Sequence, residues 1–188
     1  MCPEKLSTSW LNNLPMFTQV IEILKKGGVA VFPTDTAYAL GGDFENPEVT
    51  FRILDIKGRT DKKFTLVAAN LQQVQQFFSL EPKALKLAKK YWPGPLSLVV
   101  SDRFSIRVPA HDVPRQLAAS LGKPLIATSA NKSGQTEVYT QAAAQQALGE
   151  HNVDAWIDGG ELVSRPVSTI VRVLGNQVKV IRQGSIHL

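Results

Sequence analysis

Short apolar runs that pass straight into turns rich in glycine, hydroxyls and amides set the tightest limit on what this chain can fold into. Val29-Ala30-Val31-Phe32 leads into Pro33-Thr34-Asp35-Thr36-Ala37-Tyr38-Ala39-Leu40-Gly41-Gly42, and Pro124-Leu125-Ile126-Ala127 leads into Thr128-Ser129-Ala130-Asn131-Lys132-Ser133-Gly134. A basic Lys57-Gly58-Arg59 lies between them. Open α/β sheets bind ligands in crevices at the ends of their strands. Hydroxyls, an amide, glycines and paired cations placed there are the groups that hold a polyphosphate.

The rest of the chain alternates helical and extended patterns. Met16-Phe17, Val20-Ile21 and Ile23-Leu24 recur at helical spacing, with Asn13 as a candidate cap, and Gly27-Gly28 ends that helix. Asn46-Pro47-Glu48 reads as a helix start: a capping side chain, a proline in the first turn, then an acid facing the dipole. This helix is expected to turn Val49, Ile53, Leu54 and Ile56 inward and to end near Lys57. Further helices are expected over 71–78, 83–91, 113–121 and 140–148. Strands are expected over 29–33, 64–69, 96–101, 105–108, 125–129 and 155–157. The chain closes on a hairpin, 168–174 and 177–182, around Gly175-Asn176. Strands and helices mixed in this way argue for a single α/β domain over 1–188, with one open mixed sheet of about seven strands flanked by helices.

Composition narrows the partners. With 44% hydrophobic residues the chain has enough apolar surface for a full core. The single cysteine, Cys2, rules out an internal disulfide and a cysteine-rich zinc site, which fits a reducing cytoplasm. The first residues, MCPEKLSTSWLNN, carry no apolar core of a secretory signal, and runs such as Leu96 to Val100 are too short to span a bilayer. A net charge of +5 favours anionic partners, nucleotides or nucleic acid.

Several positions admit two readings. Lys57 and Arg59, with Lys62 and Lys63 close behind, form either a phosphate clamp or a solvated helix end favoured by the dipole. Thr128-Ser129-Ala130-Asn131 is either a ligand-binding strand end or a turn. Asp35 caps its loop or binds a metal ion. Gly41-Gly42 permits unusual backbone angles. Arg107 anchors a carboxylate or sits in a half-buried ion pair. His111 faces a site or is structural. There is no G-x-S-x-G elbow and no G-x-x-x-x-G-K-[ST] loop, and His111, His151 and His187 lack metal-ligand spacing. Chemistry by positioning and charge stabilisation fits this inventory better than a covalent intermediate.

The motifs PTDTAYALG (33–41), KGR (57–59), WPGPLSLVV (92–100), IRVPAH (106–111), PLIATSANKSG (124–134), STIV (168–171) and IRQG (181–184), in this order, resemble the YrdC/TsaC family of threonylcarbamoyl-AMP synthases, in its single-domain form. The resemblance implies a twisted open sheet with a basic concave face. It also implies a nucleotidyl transfer: ATP, L-threonine and bicarbonate yield L-threonylcarbamoyladenylate and pyrophosphate. The product goes to partner proteins that form N6-threonylcarbamoyladenosine at position 37 of tRNA, with direct tRNA or RNA contact possible on the basic face. Carried over by motif, Lys57 and Arg59 are the catalytic triphosphate clamp, and Lys63, Ser129, Asn131 and Arg182 are further ATP contacts. Thr36, Arg107, Thr128 and Ser168 form the threonine pocket, with Arg107 on the carboxylate. No protein metal site is implied; Mg²⁺ comes with the ATP phosphates.

The chain departs from the family pattern in three places. Thr60 and Phe64 stand where prolines are usual, Ala68 stands where some relatives carry a histidine near the substrate, and the connection between Val100 and Ile106 is short. These departures keep two alternatives in view: a non-catalytic RNA-binding module, and a YciO-like paralogue with another acceptor.

Overall fold

The computed structural model describes residues 14–188. Asn13, Cys2 and the segment read for a signal lie outside the described residues. Six helices and nine strands follow one another: α1 (Leu14–Lys25), β1 (Ala30–Pro33), β2 (Tyr38–Asp43), α2 (Pro47–Lys57), β3 (Phe64–Val67), α3 (Leu71–Phe77), α4 (Pro82–Tyr91), β4 (Leu96–Val99), β5 (Phe104–Arg107), α5 (Asp112–Leu121), β6 (Leu125–Ser129), α6 (Gln141–Leu148), β7 (Ala155–Trp156), β8 (Thr169–Leu174) and β9 (Gln177–Arg182). All strands join one sheet in the order β7-β1-β2-β6-β3-β5-β4-β8-β9. The pairs β1/β7, β3/β5 and β4/β8 are parallel and the others antiparallel.

The sheet has nine strands rather than about seven, and the one with no counterpart among the expected segments is β2. Its residues Tyr-Ala-Leu-Gly-Gly are all buried, with only the final Asp43 partly exposed, so no polar alternation marks them as a strand. Gly41 and Gly42 are not there for unusual backbone angles, since neither has a positive φ. They answer to close packing: a Cβ on Gly41 would overlap the Ile126 carbonyl of β6, and one on Gly42 would meet Val49 Cγ1 of α2 at 2.6 Å.

The sheet's two faces are covered unequally. On one, Val31, Leu40, Leu66, Ile106 and Ile126 pack against α2, α3 and α6 through Val49, Ile53, Val74, Ala144 and Leu148. Leu96, Leu98 and Val171 continue that face against Ala84 and Ala88 of α4. On the other, Ala30, Phe32, Val67 and Leu125 pack against Val20 and Leu24 of α1 and Val113 and Leu117 of α5. Two helices are too few to cover nine strands. The rest of this second face is left open, and there Ala39, Thr65, Val99, Ser105 and Ala127 line a cavity.

The helix ends are set locally. Asn46 Oδ1 accepts the Glu48 amide at 2.9 Å. At the other end of α2, Gly58 takes φ 60°, while the Gly58 and Arg59 amides donate to Asp55 and Leu54. This is the paired-bond ending that glycine at the left-handed position allows. Among the described residues no helix is long and apolar enough to cross a membrane.

Candidate functional site

The open part of the second face is a cavity of about 830 Å³. Thr36, Lys57, Arg59, Lys63, Arg107, Thr128, Ser129, Asn131, Ser168 and Arg182, every site residue expected from sequence, line it. Nine Lys and Arg side chains face it against two carboxylates, Asp102 and Glu137. Of the nine, only Arg59, Arg107 and Arg172 have an ion-pair partner among the described residues. Cations held together without counter-charges repel one another, so the cavity favours a polyanion.

Lys57 is not a solvated helix end: it is 4% exposed. Its Nζ donates to the Ser129 carbonyl at 2.6 Å and the Asn131 carbonyl at 2.7 Å. In return the Ser133 amide donates to the Lys57 carbonyl at 3.0 Å, and Lys132 Nζ donates to the Ile56 carbonyl at 2.6 Å. The end of α2 and the 128–134 segment are therefore one stitched unit: Leu125–Ser129 is strand, and the residues beyond are held by the lysine. Burial, aided by the Arg59 charge, pushes Lys57 down to about 8.

Arg59 is laid along its own loop. Its guanidinium donates to the Lys63 carbonyl, pairs with Asp61 at 3.5 Å and lies 5.2 Å from the Phe64 ring centre. Asp61 Oδ1 also accepts the Lys63 amide at 3.1 Å. This turn holds without the prolines at 60 and 64. Asn131 is buried; its Nδ2 donates to the Gln135 carbonyl, and its Oδ1 has no hydrogen-bond partner.

Across the cavity, Arg107 Nη1 meets Asp35 Oδ1 at 2.6 Å, with side chains 6% and 4% exposed. The pair is fully rather than half buried, and Arg107 also lines the cavity. Arg107 Nη2 donates to Thr36 Oγ1 at 3.3 Å, and Asp35 Oδ2 accepts the Ala110 amide at 3.1 Å. Asp35 thus joins the β1–β2 turn to the loop after β5. Thr34 holds that turn from within, donating to the Ala37 carbonyl at 2.7 Å. Arg182 donates from Nε and Nη2 to the Ser168 carbonyl at 3.1 and 2.9 Å, and from Nη2 to Ser168 Oγ at 2.8 Å. Burial and the Arg107 charge both act against its protonated form.

His111 lies outside the cavity lining. Its Nδ1 accepts the Val113 amide at 3.2 Å and caps α5, and burial lowers its pKa against the opposing pull of Asp35 and Asp112. Ala68 is packed in the core and does not line the cavity. The short 100–104 connection is a tight turn: Ser101 Oγ accepts the Arg103 and Phe104 amides, and Ser101, Asp102 and Arg103 form part of the rim. Sequence reasoning missed Thr65 and Ser105, whose hydroxyls meet at 2.9 Å in the cavity. The alternation Phe-Thr-Leu-Val in β3 and Phe-Ser-Ile-Arg in β5 carried the signal, but the open face was not identifiable without the helix layout.

A family profile described as "Telomere recombination", Sua5_yciO_yrdC, matches residues 22–184. The threonylcarbamoyl-AMP synthase of Vibrio vulnificus (strain YJ016) is 38% identical over 148 residues, covering 70% of this chain and 80% of the relative. That of Aliivibrio fischeri (strain ATCC 700601 / ES114) is 30% identical over 171 residues, covering 82% and 91%. Among solved structures, P. abyssi Sua5 complexed with L-threonine superposes with a TM-score of 0.82 at 27% identity over 89% of this chain, which spans only 54% of that protein. E. coli YciO superposes with a TM-score of 0.79 at 28% identity over 90% of this chain and 89% of its own. The profile takes in every lining residue described above, and with the shared fold it makes the chain a member of the Sua5/YciO/YrdC family.

Proposed function

We propose that this protein is a threonylcarbamoyl-AMP synthase, a single-domain nucleotidyltransferase acting in the cytoplasm. The observation that carries the reading is the gathering of all ten expected site residues around one cavity in which most of the nine cations have no ion-pair partner among the described residues. The named relatives support it: two are threonylcarbamoyl-AMP synthases, and one solved homologue holds L-threonine.

In this reading ATP lies with its triphosphate against Lys57, Arg59, Lys63 and the 129–131 loop. Arg182, oriented by Ser168, is a further nucleotide contact. Threonine sits towards Arg107, Thr36, Thr128 and Ser168. The threonine amine takes up bicarbonate with loss of water, giving a carbamate. A carbamate oxygen attacks the α-phosphorus, the bond to the bridging oxygen breaks, and pyrophosphate leaves. Negative charge grows on the departing β-phosphate, where prepositioned Arg59 and Lys63 stabilise it best. Lys57 holds the loop by two carbonyl bonds and adds charge from behind it. Mg²⁺ would accompany the nucleotide, held by the phosphate oxygens and water, and would offset their charge. The adenylate then passes to tRNA-modifying partners.

The test is pyrophosphate release from ATP, Mg²⁺ and bicarbonate with and without L-threonine. Threonine-dependent release is expected. Release no greater than with ATP alone, from folded protein, would remove the reading and favour an RNA-binding module or a YciO-like paralogue with another acceptor.

A further inference from the structure

The cavity has polar and basic walls, but part of its sheet floor is apolar around a single hydroxyl pair. Thr65 and Ser105 are register partners on the parallel strands β3 and β5, and their hydroxyls meet at 2.9 Å. On one flank Val99 of β4 is the register partner of Ser105. On the other, Ala127 of β6 follows Ile126, which pairs with Leu66. Val99 and Ala127 both line the cavity.

Two hydroxyls carry two protons, and the bond between them uses one. Neither side chain has another hydrogen-bond partner among the described residues. One donor and spare lone pairs therefore remain for a ligand. Arg107 lies two residues beyond Ser105 on the same face of β5, about 7 Å further along the strand. An amino acid held by its carboxylate at Arg107 can bring its β-carbon substituents to the pair.

We infer that Thr65 and Ser105 are the specificity-determining residues for the acceptor's side chain. The pair bonds a β-hydroxyl, and Val99 and Ala127 receive a β-methyl. Threonine carries both groups; 2-aminobutyrate lacks the hydroxyl and serine lacks the methyl. The inference rests on the synthase reading and adds to it the groups that select threonine.

The experiment measures threonine-dependent pyrophosphate release by wild type, Thr65→Val, Ser105→Ala and Thr65→Ser, with L-threonine, L-2-aminobutyrate and L-serine. A site built to bond a substrate hydroxyl rejects the analogue lacking it by a large factor, so threonine is expected to be preferred over 2-aminobutyrate by at least ~100-fold in wild type. That preference is expected to fall at least tenfold in Thr65→Val and Ser105→Ala and to persist in Thr65→Ser. The threonine-to-serine ratio and the KM for ATP are expected to hold. A purely structural cross-strand pair would lower activity on all acceptors alike. An unchanged threonine-to-2-aminobutyrate ratio in Thr65→Val or Ser105→Ala overturns the inference while leaving the synthase reading intact. Absence of threonine-dependent release in wild type overturns both.

Discussion

Lys57 and Arg107 show how one type of charge takes two roles within a single cavity. Lys57 is a buried ammonium bonded to two carbonyls, with a pKa near 8 against 10.5 for an exposed lysine. Between those values the unfolded chain binds more protons than the folded one, so this group's contribution to stability rises with pH from about 8 to 10.5. Unfolding free energies measured across that window are expected to show the slope in wild type and to lose it in Lys57→Met. Nucleotide affinity runs the opposite way, falling with rising pH as the ammonium loses its charge. Arg107 instead has a buried carboxylate partner, and removing one member strands the other. Arg107→Ala and Asp35→Ala are each expected to cost about 3–5 kcal/mol in denaturant unfolding. The double variant is expected to be far less damaging than the sum. Arg59, more exposed and on a loop, carries little of the fold. Arg59→Ala is expected to keep stability and to lower pyrophosphate formation tenfold or more, because it removes charge stabilisation at the leaving group.

At the scale of elements, glycine plays two unrelated parts. Gly58 ends α2 at φ 60° with open space where a Cβ would stand, so Gly58→Ala meets only backbone strain, about 1–2 kcal/mol. Gly41 has ordinary strand angles, but a Cβ there would overlap the Ile126 carbonyl. Gly41→Ala is expected to be the more damaging change, since β2 and β6 must separate and the 128–134 loop moves with β6. Thermal unfolding of the two variants checks the order, and nucleotide binding is expected to fail first in Gly41→Ala. The distinction explains why β2 was hidden. A glycine pair after an apolar run reads as a loop until the neighbouring strand and helix are known to press on both faces. The hairpin of β8 and β9, by contrast, has its turn and its alternation written in adjacent residues, and its limits are close to those expected.

At the scale of the whole molecule, the cavity exists because α1 and α5 cover only part of one face while α2, α3, α4 and α6 cover the other. What they leave open collects cations from strands, loops and a helix end far apart in the chain, and polyanion binding there is expected to be ionic-strength dependent. Affinity for a non-hydrolysable ATP analogue, measured from low to high salt, is expected to weaken steadily, as screening shortens the reach of exposed charges to about 8 Å near physiological salt. Most helices and strands followed from local patterning, because periodicity, caps and turn residues act within a few positions of one another. So did the identities of Lys57, Arg59, Ser129, Asn131 and Arg107, which stand in short motifs. Their surroundings did not. Burial of Lys57, the Asp35 partner of Arg107 and the meeting of Thr65 with Ser105 each depend on contacts between residues 40 to 76 positions apart. Local sequence sets the period of an element and the chemistry at its ends. Only the packed sheet decides which face meets water, and with it which charges stay free to bind.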